Sequence, residues 1–130
     1  MTDFTDAMFV ATSGLKAQAS RLRHLSENIA NTDTPGYRRK MVSFEETMQL
    51  GTSARAVTTG PMRLDQSALS RVYDPANPLA DESGHYDGSN VNLLIEIADA
   101  REAQRSYEAN LKMFDQLRQM SSALLELLRN

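Results

Sequence analysis

The residues of this chain whose types could do chemistry are two histidines, a carboxylate pair, a basic triplet and an acidic loop. Hydrolytic catalysis needs a nucleophile, a base and a pocket. A metal centre needs imidazole, thiolate or carboxylate groups at tight spacing. His24 lies one position from an apolar helix stripe and His85 lies in a Gly-rich loop; neither belongs to a His-x-x-x-His pair. Glu45 and Glu46 are adjacent, so on a helix they point apart and read as solvated charge. Asp81-Glu82-Ser83-Gly84 offers too few oxygen ligands for a calcium loop. Arg38-Arg39-Lys40 reads as a solvated basic face, or one that pairs with acidic groups on a neighbour. With no cysteine, thiolate chemistry and disulfides are excluded. The expectation is a protein with no catalytic residue, no metal site and no cofactor.

Charge and hydropathy narrow the partners. A net charge of −3 and a pI near 5.3 disfavour a nucleic-acid binder, which would need a basic face. No apolar run approaches the roughly 18 residues of a membrane span. Met-Thr-Asp-Phe-Thr-Asp lacks the basic and apolar segments of a cleaved signal, so none is expected.

Two long helices dominate the pattern. The first is expected over Phe4 to Asn31, with a seam of Phe4, Met8, Ala11, Leu15, Gln18, Leu22, Leu25 and Ile29 in alternating steps of four and three. The second is expected over Asn90 to Leu128, capped by Ser89, Asn90 or Asn92. Its seam is Leu93, Ile97, Ala100, Gln104, Tyr107, Leu111 and Phe114, drifting afterwards toward Leu117, Met120 and Leu124. Run antiparallel, the seams match from Ile29 facing Leu93 to Met8 facing Phe114. Gln18 and Gln104 then share one polar layer. Glu96 and Asp99 near the start of the second helix suit its dipole.

Between the helices the chemistry is that of turns. Asn31 suits a left-handed helix stop. Thr34-Pro35-Gly36-Tyr37 reads as a type II turn, with Pro35 presetting φ and Gly36 supplying positive φ. Residues 38–44 are expected extended and Glu45 to Leu50 as a short helical turn. Arg55 to Thr59 and Leu69 to Tyr73 are expected to pair as a β-hairpin, followed by an ordered loop over Asp74 to Gly88. The fold class is mostly α: two long terminal helices forming an antiparallel coiled-coil pair, with a small β-hairpin and loop insertion. Its segments are an N-terminal helix over 1–31, a turn and extended stretch over 32–50, a β and loop region over 51–89, and a C-terminal helix over 90–130.

Leu25-Ser26-Glu27-Asn28-Ile29-Ala30-Asn31-Thr32-Asp33-Thr34-Pro35-Gly36-Tyr37 resembles the signature of bacterial flagellar rod and hook proteins. Ser13-Gly14-Leu15-Lys16-Ala17-Gln18 is similar to that family's opening, and Arg105-Ser106-Tyr107-Glu108-Ala109-Asn110 to its second signature. Asp74 to Pro78, Gly84-His85-Tyr86 and Asn90-Val91-Asn92 resemble the pre-helix segment of its proximal rod members. The resemblance implies a structural subunit of the axial drive shaft, its helices packed side by side along a periplasmic tube. Its partners would be copies of itself, other rod proteins and the flagellar type III export apparatus. Asn28, Asn31, Thr34, Pro35, Gly36 and Tyr37 would form a corner that meets adjoining subunits. The competing reading is a soluble helical-hairpin adaptor or chaperone that binds a partner helix. Sedimentation separates a closed dimer from open-ended assembly.

Overall fold

The computed structural model describes residues 2–48 and 53–130. Helix α1 spans Thr2–Ala30 and helix α2 spans Leu93–Arg129, with six short strands among the described residues between them. Asn92, at φ −99° and ψ 106°, caps α2 by accepting from Ile95 N, which settles the choice among the three candidate caps. α1 ends without a left-handed residue, because no described non-glycine residue has positive φ. Instead Asn31 turns its side-chain amide back and donates to Glu27 O at 2.8 Å. A side-chain donor thus satisfies a carbonyl of the last turn, where the sequence suggested an αL stop.

The strands are β1 (Lys40–Met41), β2 (Phe44–Met48), β3 (Arg55–Thr59), β4 (Arg63–Leu64), β5 (Arg71–Tyr73) and β6 (His85–Asp87). They form three separate two-stranded antiparallel ladders: β1 with β4, β2 with β3, and β5 with β6. This corrects two expectations. The stretch from Glu45 to Met48 is strand, not a helical turn, and its expected remainder, Gln49 and Leu50, lies outside the described residues. Arg55 to Thr59 pairs with Phe44–Met48, and Arg71–Tyr73 pairs with His85–Asp87, so the two expected strands are not partners of each other. Both choices follow from antiparallel ladders closing on nearby segments. Gly60 N donates to Ser43 O at 2.8 Å to extend the first, and Gly88 N donates to Ser70 O at 2.7 Å to extend the second.

Small side chains let the elements approach closely. Among the described residues the buried apolar ones are Ala11, Ala17, Leu25, Ala56 and Ala103, four alanines among five. A Cβ at Gly14 would come within 3.0 Å of the Asn110 amide, so glycine is what lets α2 pass that close. Three approaches, Gly14 to Asn110, Arg21 to Glu102 and Asn28 to Glu96, show that α2 numbers fall as α1 numbers rise. On another side, α1 carries the β2–β3 ladder, where Val57 N donates to Ser13 Oγ at 3.1 Å.

The seam residues distribute unevenly. Ala11 and Leu25 are buried; Met8, Leu15, Gln18, Leu22, Ile29, Ile97, Ala100, Tyr107 and Phe114 are half-buried; Leu93, Gln104 and Leu111 are exposed. The buried positions of α2 are Glu96 and Ala103, each one residue before a seam position. That is a rotation of roughly 100° about the helix axis. The two glutamines do not pair: Gln104 is exposed and donates to Glu108 Oε1 at 3.4 Å, while Gln18 Oε1 is buried without a partner.

Candidate functional site

The densest polar construction in the described residues lies where α1 ends and α2 begins. Thr34 O accepts from Tyr37 N at 3.2 Å and Gly36 has φ +75°, the i to i+3 bond and left-handed third residue of a type II turn. Gly36 N in turn donates to Asp87 O at 3.2 Å and Gly88 O at 3.1 Å. The turn is thereby tied to the strand that leads into α2. Pro35, Thr34 and Gly36 are exposed, and Thr34 Oγ1 bonds Asn31 Oδ1 at 3.0 Å.

Asn28 anchors the corner from below. It is fully buried, on the last full turn of α1. Its Oδ1 accepts from Tyr37 Oη and from Lys40 N, both at 2.8 Å. Its Nδ2 donates to Lys40 O at 2.9 Å and to Glu96 Oε2 at 3.3 Å. Each atom of the amide is used twice, so one side chain fixes the helix end, the turn and the first turn of α2. Burial also pushes the Tyr37 phenol up from its usual pKa.

Glu96 is the second buried centre. Its Oε1 accepts a short hydrogen bond from Arg39 Nε, and Arg39 also reaches Asp99 at 3.8 Å and Asp65 at 3.9 Å. A carboxylate with no solvent exposure is tolerable because it has both a cation and an amide donor. Asn90 closes the cluster: its Oδ1 accepts from Arg39 N at 2.7 Å, and its Nδ2 donates to Asp65 O at 2.9 Å. Arg38 reaches the carbonyls of Asp65 and Ser67, both at 3.2 Å. Lys40 pairs with Glu27 at 2.6 Å, which lowers the Glu27 pKa and raises that of Lys40. Ser89 Oγ donates to Thr32 O. The basic triplet is therefore not a solvated face; its side chains are spent inside the chain.

Of the residues singled out in the turn, Asn28 and Tyr37 are joined directly, and Asn31, Thr34 and Gly36 sit around them. Sequence reasoning missed Glu96, Asn90 and Asp65. Glu96 carried a signal: an acid between Ile95 and Ile97, on the face that also holds Ala103. Such a residue is buried only with a cation, and the one free triplet of cations stands at 38–40.

The histidines are elsewhere. His24 is mostly covered, its Nδ1 3.8 Å from Glu27 Oε2 and without a hydrogen bond. His85 packs against Tyr73 with ring centroids 5.1 Å apart, and its Nδ1 lies 3.0 Å from Ser83 Oγ. Asp81 accepts from Ser83 Oγ at 2.6 Å, pairs with Arg71 and accepts from His85 N and Ser83 N, and these contacts hold its carboxyl well below the usual range. The acidic loop is a closed turn, and no group of three or more His, Cys, Asp or Glu among the described residues is placed to hold a metal ion. The arrangement is one that fixes a corner rigidly rather than one that converges on a substrate.

Two family models match the chain: one described as flagella basal body rod protein, over residues 8–38, and one described as flagellar basal body rod FlgEFG protein C-terminal, over residues 82–127. Together they cover most of both helices and the turn that follows α1. A flagellar basal-body rod protein FlgC of Agrobacterium fabrum is 42% identical, over 99% of this chain and 98% of its own length. The FlgC of Salmonella typhimurium is 32% identical over 91% of this chain and 92% of its own, and that of Bacillus subtilis 32% identical over 98% and 99%.

Proposed function

Since the chain belongs to the flagellar basal-body rod protein family, and is a structural subunit of that rod rather than an enzyme, we propose how its parts serve assembly. α1 and α2 act as one antiparallel coiled-coil pair laid along the rod axis. Residues 1–31 and 90–130 are the axial helices, 32–50 the corner and 51–89 the outer β element. The corner of Asn28, Asn31, Thr34, Pro35, Gly36 and Tyr37 holds the outer element at a fixed angle to the pair and presents its exposed tip to adjoining subunits. The partners are copies of this chain and other rod proteins. The chain reaches the periplasmic rod through the flagellar export apparatus.

One observation carries the reading. Leu111, Met113, Met120, Leu124, Leu125, Leu127 and Leu128 are all exposed along a single helix. Apolar surface of that extent on one element marks a contact with other chains. A subunit whose second helix is half-clothed in the single chain is completed by its neighbours.

The test uses cells lacking this chain. Restoring it should restore swimming, and the full chain should co-purify with basal bodies. A chain ending at Asp115 keeps the corner and loses most of the bare apolar surface. It should accumulate without entering basal bodies. Normal swimming with that shortened chain refutes the reading. Sedimentation of the purified protein should show monomer with open-ended assembly; a closed dimer as the end state favours the adaptor.

A further inference from the structure

We propose that the outer edge of β2 is a docking site for an extended segment of another protein, added to the β2–β3 ladder as a third strand. The residues of that segment opposite Phe44, Glu46 and Met48 are apolar, basic and apolar. The edge is built within a single chain and is independent of the rod reading.

Backbone geometry singles this edge out. Gly60 N donates to Ser43 O at 2.8 Å, which makes Ser43 and Gly60 a hydrogen-bonded pair of the antiparallel ladder. Such pairs recur every second residue, so Glu45 with Thr58 and Thr47 with Ala56 exchange the ladder bonds. The N–H and C=O groups of Phe44, Glu46 and Met48 therefore point away from β3. Among the described residues none of these three amides donates to a group outside the ladder. The outer edge of β3 is different. Val57, which pairs with Glu46, turns its N–H outward to Ser13 Oγ at 3.1 Å, so α1 covers that side. All five residues of β2 are exposed. A bare strand edge of this kind is a template for pairing with another chain.

The side chains select the occupant. Phe44, Glu46 and Met48 share one face of the strand. Phe44 is 42% exposed and Met48 63%, one on each side of Glu46. Glu46 meets Arg55 at 3.6 Å, but both side chains stand in solvent and such a pair is weak. A second copy of β2 is a poor third strand. In the antiparallel register that uses all three outward residues, the two copies of Glu46 lie directly opposite, and like charges there repel. A segment of apolar-x-basic-x-apolar pattern meets the opposite case. Its basic residue faces Glu46, and its apolar residues cover Met48 and Phe44.

Residue-by-residue amide hydrogen exchange of the full chain, followed by NMR, tests the site. In the free protein the amides of Phe44, Glu46 and Met48 should exchange faster than those of Glu45 and Thr47. One probe is an end-capped Val-Thr-Lys-Thr-Val peptide, the other the same peptide with Glu for Lys. The lysine peptide should slow exchange at Phe44, Glu46 and Met48. The glutamate peptide should bind roughly tenfold more weakly, because attraction is replaced by repulsion. In Glu46→Lys, an exposed substitution that leaves helix content unchanged, the preference should reverse. A lysine peptide N-methylated at its lysine loses its central donor to the edge and should not slow these amides. Absence of slowing at the three residues, equal binding of the two peptides in the unaltered chain, or undiminished binding of the N-methylated peptide overturns the proposal.

Discussion

The phenol of Tyr37 donates a 2.8 Å hydrogen bond to Asn28 Oδ1, the same oxygen that accepts the Lys40 N–H at 2.8 Å. Both ends of the reversal after α1 are therefore tied to one atom inside that helix. The turn is fixed from its buried side, which leaves its outer edge, Thr34 to Gly36, exposed for contact.

Removing this anchor should cost more than removing one of its bonds. Tyr37→Phe loses a single hydrogen bond and should lower stability by about 1 kcal/mol. Asn28→Ala also strands the Lys40 N–H and takes one of two donors from the Glu96 carboxylate, and should cost about 2 to 4 kcal/mol. Urea unfolding of the three proteins checks the order; equal losses would mean the Asn28 amide is not the hub.

Arg39 and Glu96 should show strong coupling. Arg39→Met leaves a fully buried carboxylate without its cation and should cost about 3 to 5 kcal/mol. Glu96→Leu with Arg39→Met removes both charges and should recover most of that loss. A double-mutant cycle measures the coupling, and additive losses would contradict the buried pair.

Gly36 should matter through its backbone. With φ +75° and nothing within 4 Å of an added Cβ, a larger residue meets strain rather than a clash. Gly36→Val should cost about 1 to 2 kcal/mol, and Gly36→Asn distinctly less, because Asn tolerates the left-handed region. Swimming assays on both variants read the consequence at the corner; Val and Asn behaving alike would count against the turn.

The Glu27–Lys40 pair should leave a signature in pH. Glu27 is lowered from 4.5, so its contribution is present above that value and is lost as pH falls through the lowered pKa. Lys40 is raised from 10.5, so its contribution is present below that value and is lost as pH rises through the raised pKa. The Tm difference between the wild type and Lys40→Met should be flat between these limits and shrink outside them. A difference that stays constant down to strongly acid pH would separate the variant's effect from the ion pair.

Much of the local structure could be read from the residues. Both helices follow the apolar spacing to within a few residues, and Pro35-Gly36 dictates its turn because only glycine reaches that φ cheaply. β3 spans the expected Arg55–Thr59. Strand partnership could not be read. The β2–β3 ladder depends on which segment meets Arg55–Thr59 in space, and Glu45-Glu46 in β2 carries no strand signal of its own. The face of α2 that packs inward was also misread by one residue. The heptad steps select Ile97 and Gln104, whereas the buried positions are the small Ala103 and Glu96, which is held by Arg39 and Asn28.

The sequence by itself determined the helices, the turn type and the family, because periodicity, proline and glycine geometry and the signature stretches are properties of short segments. The tertiary structure decided that Arg38, Arg39 and Lys40 are bonded within the chain and that Glu96 is buried. A charge is affordable in the interior only when a distant segment delivers its counter-charge and donors to within hydrogen-bond reach. Arg39 meets Glu96 across 57 positions, and no local pattern encodes a distance of that kind.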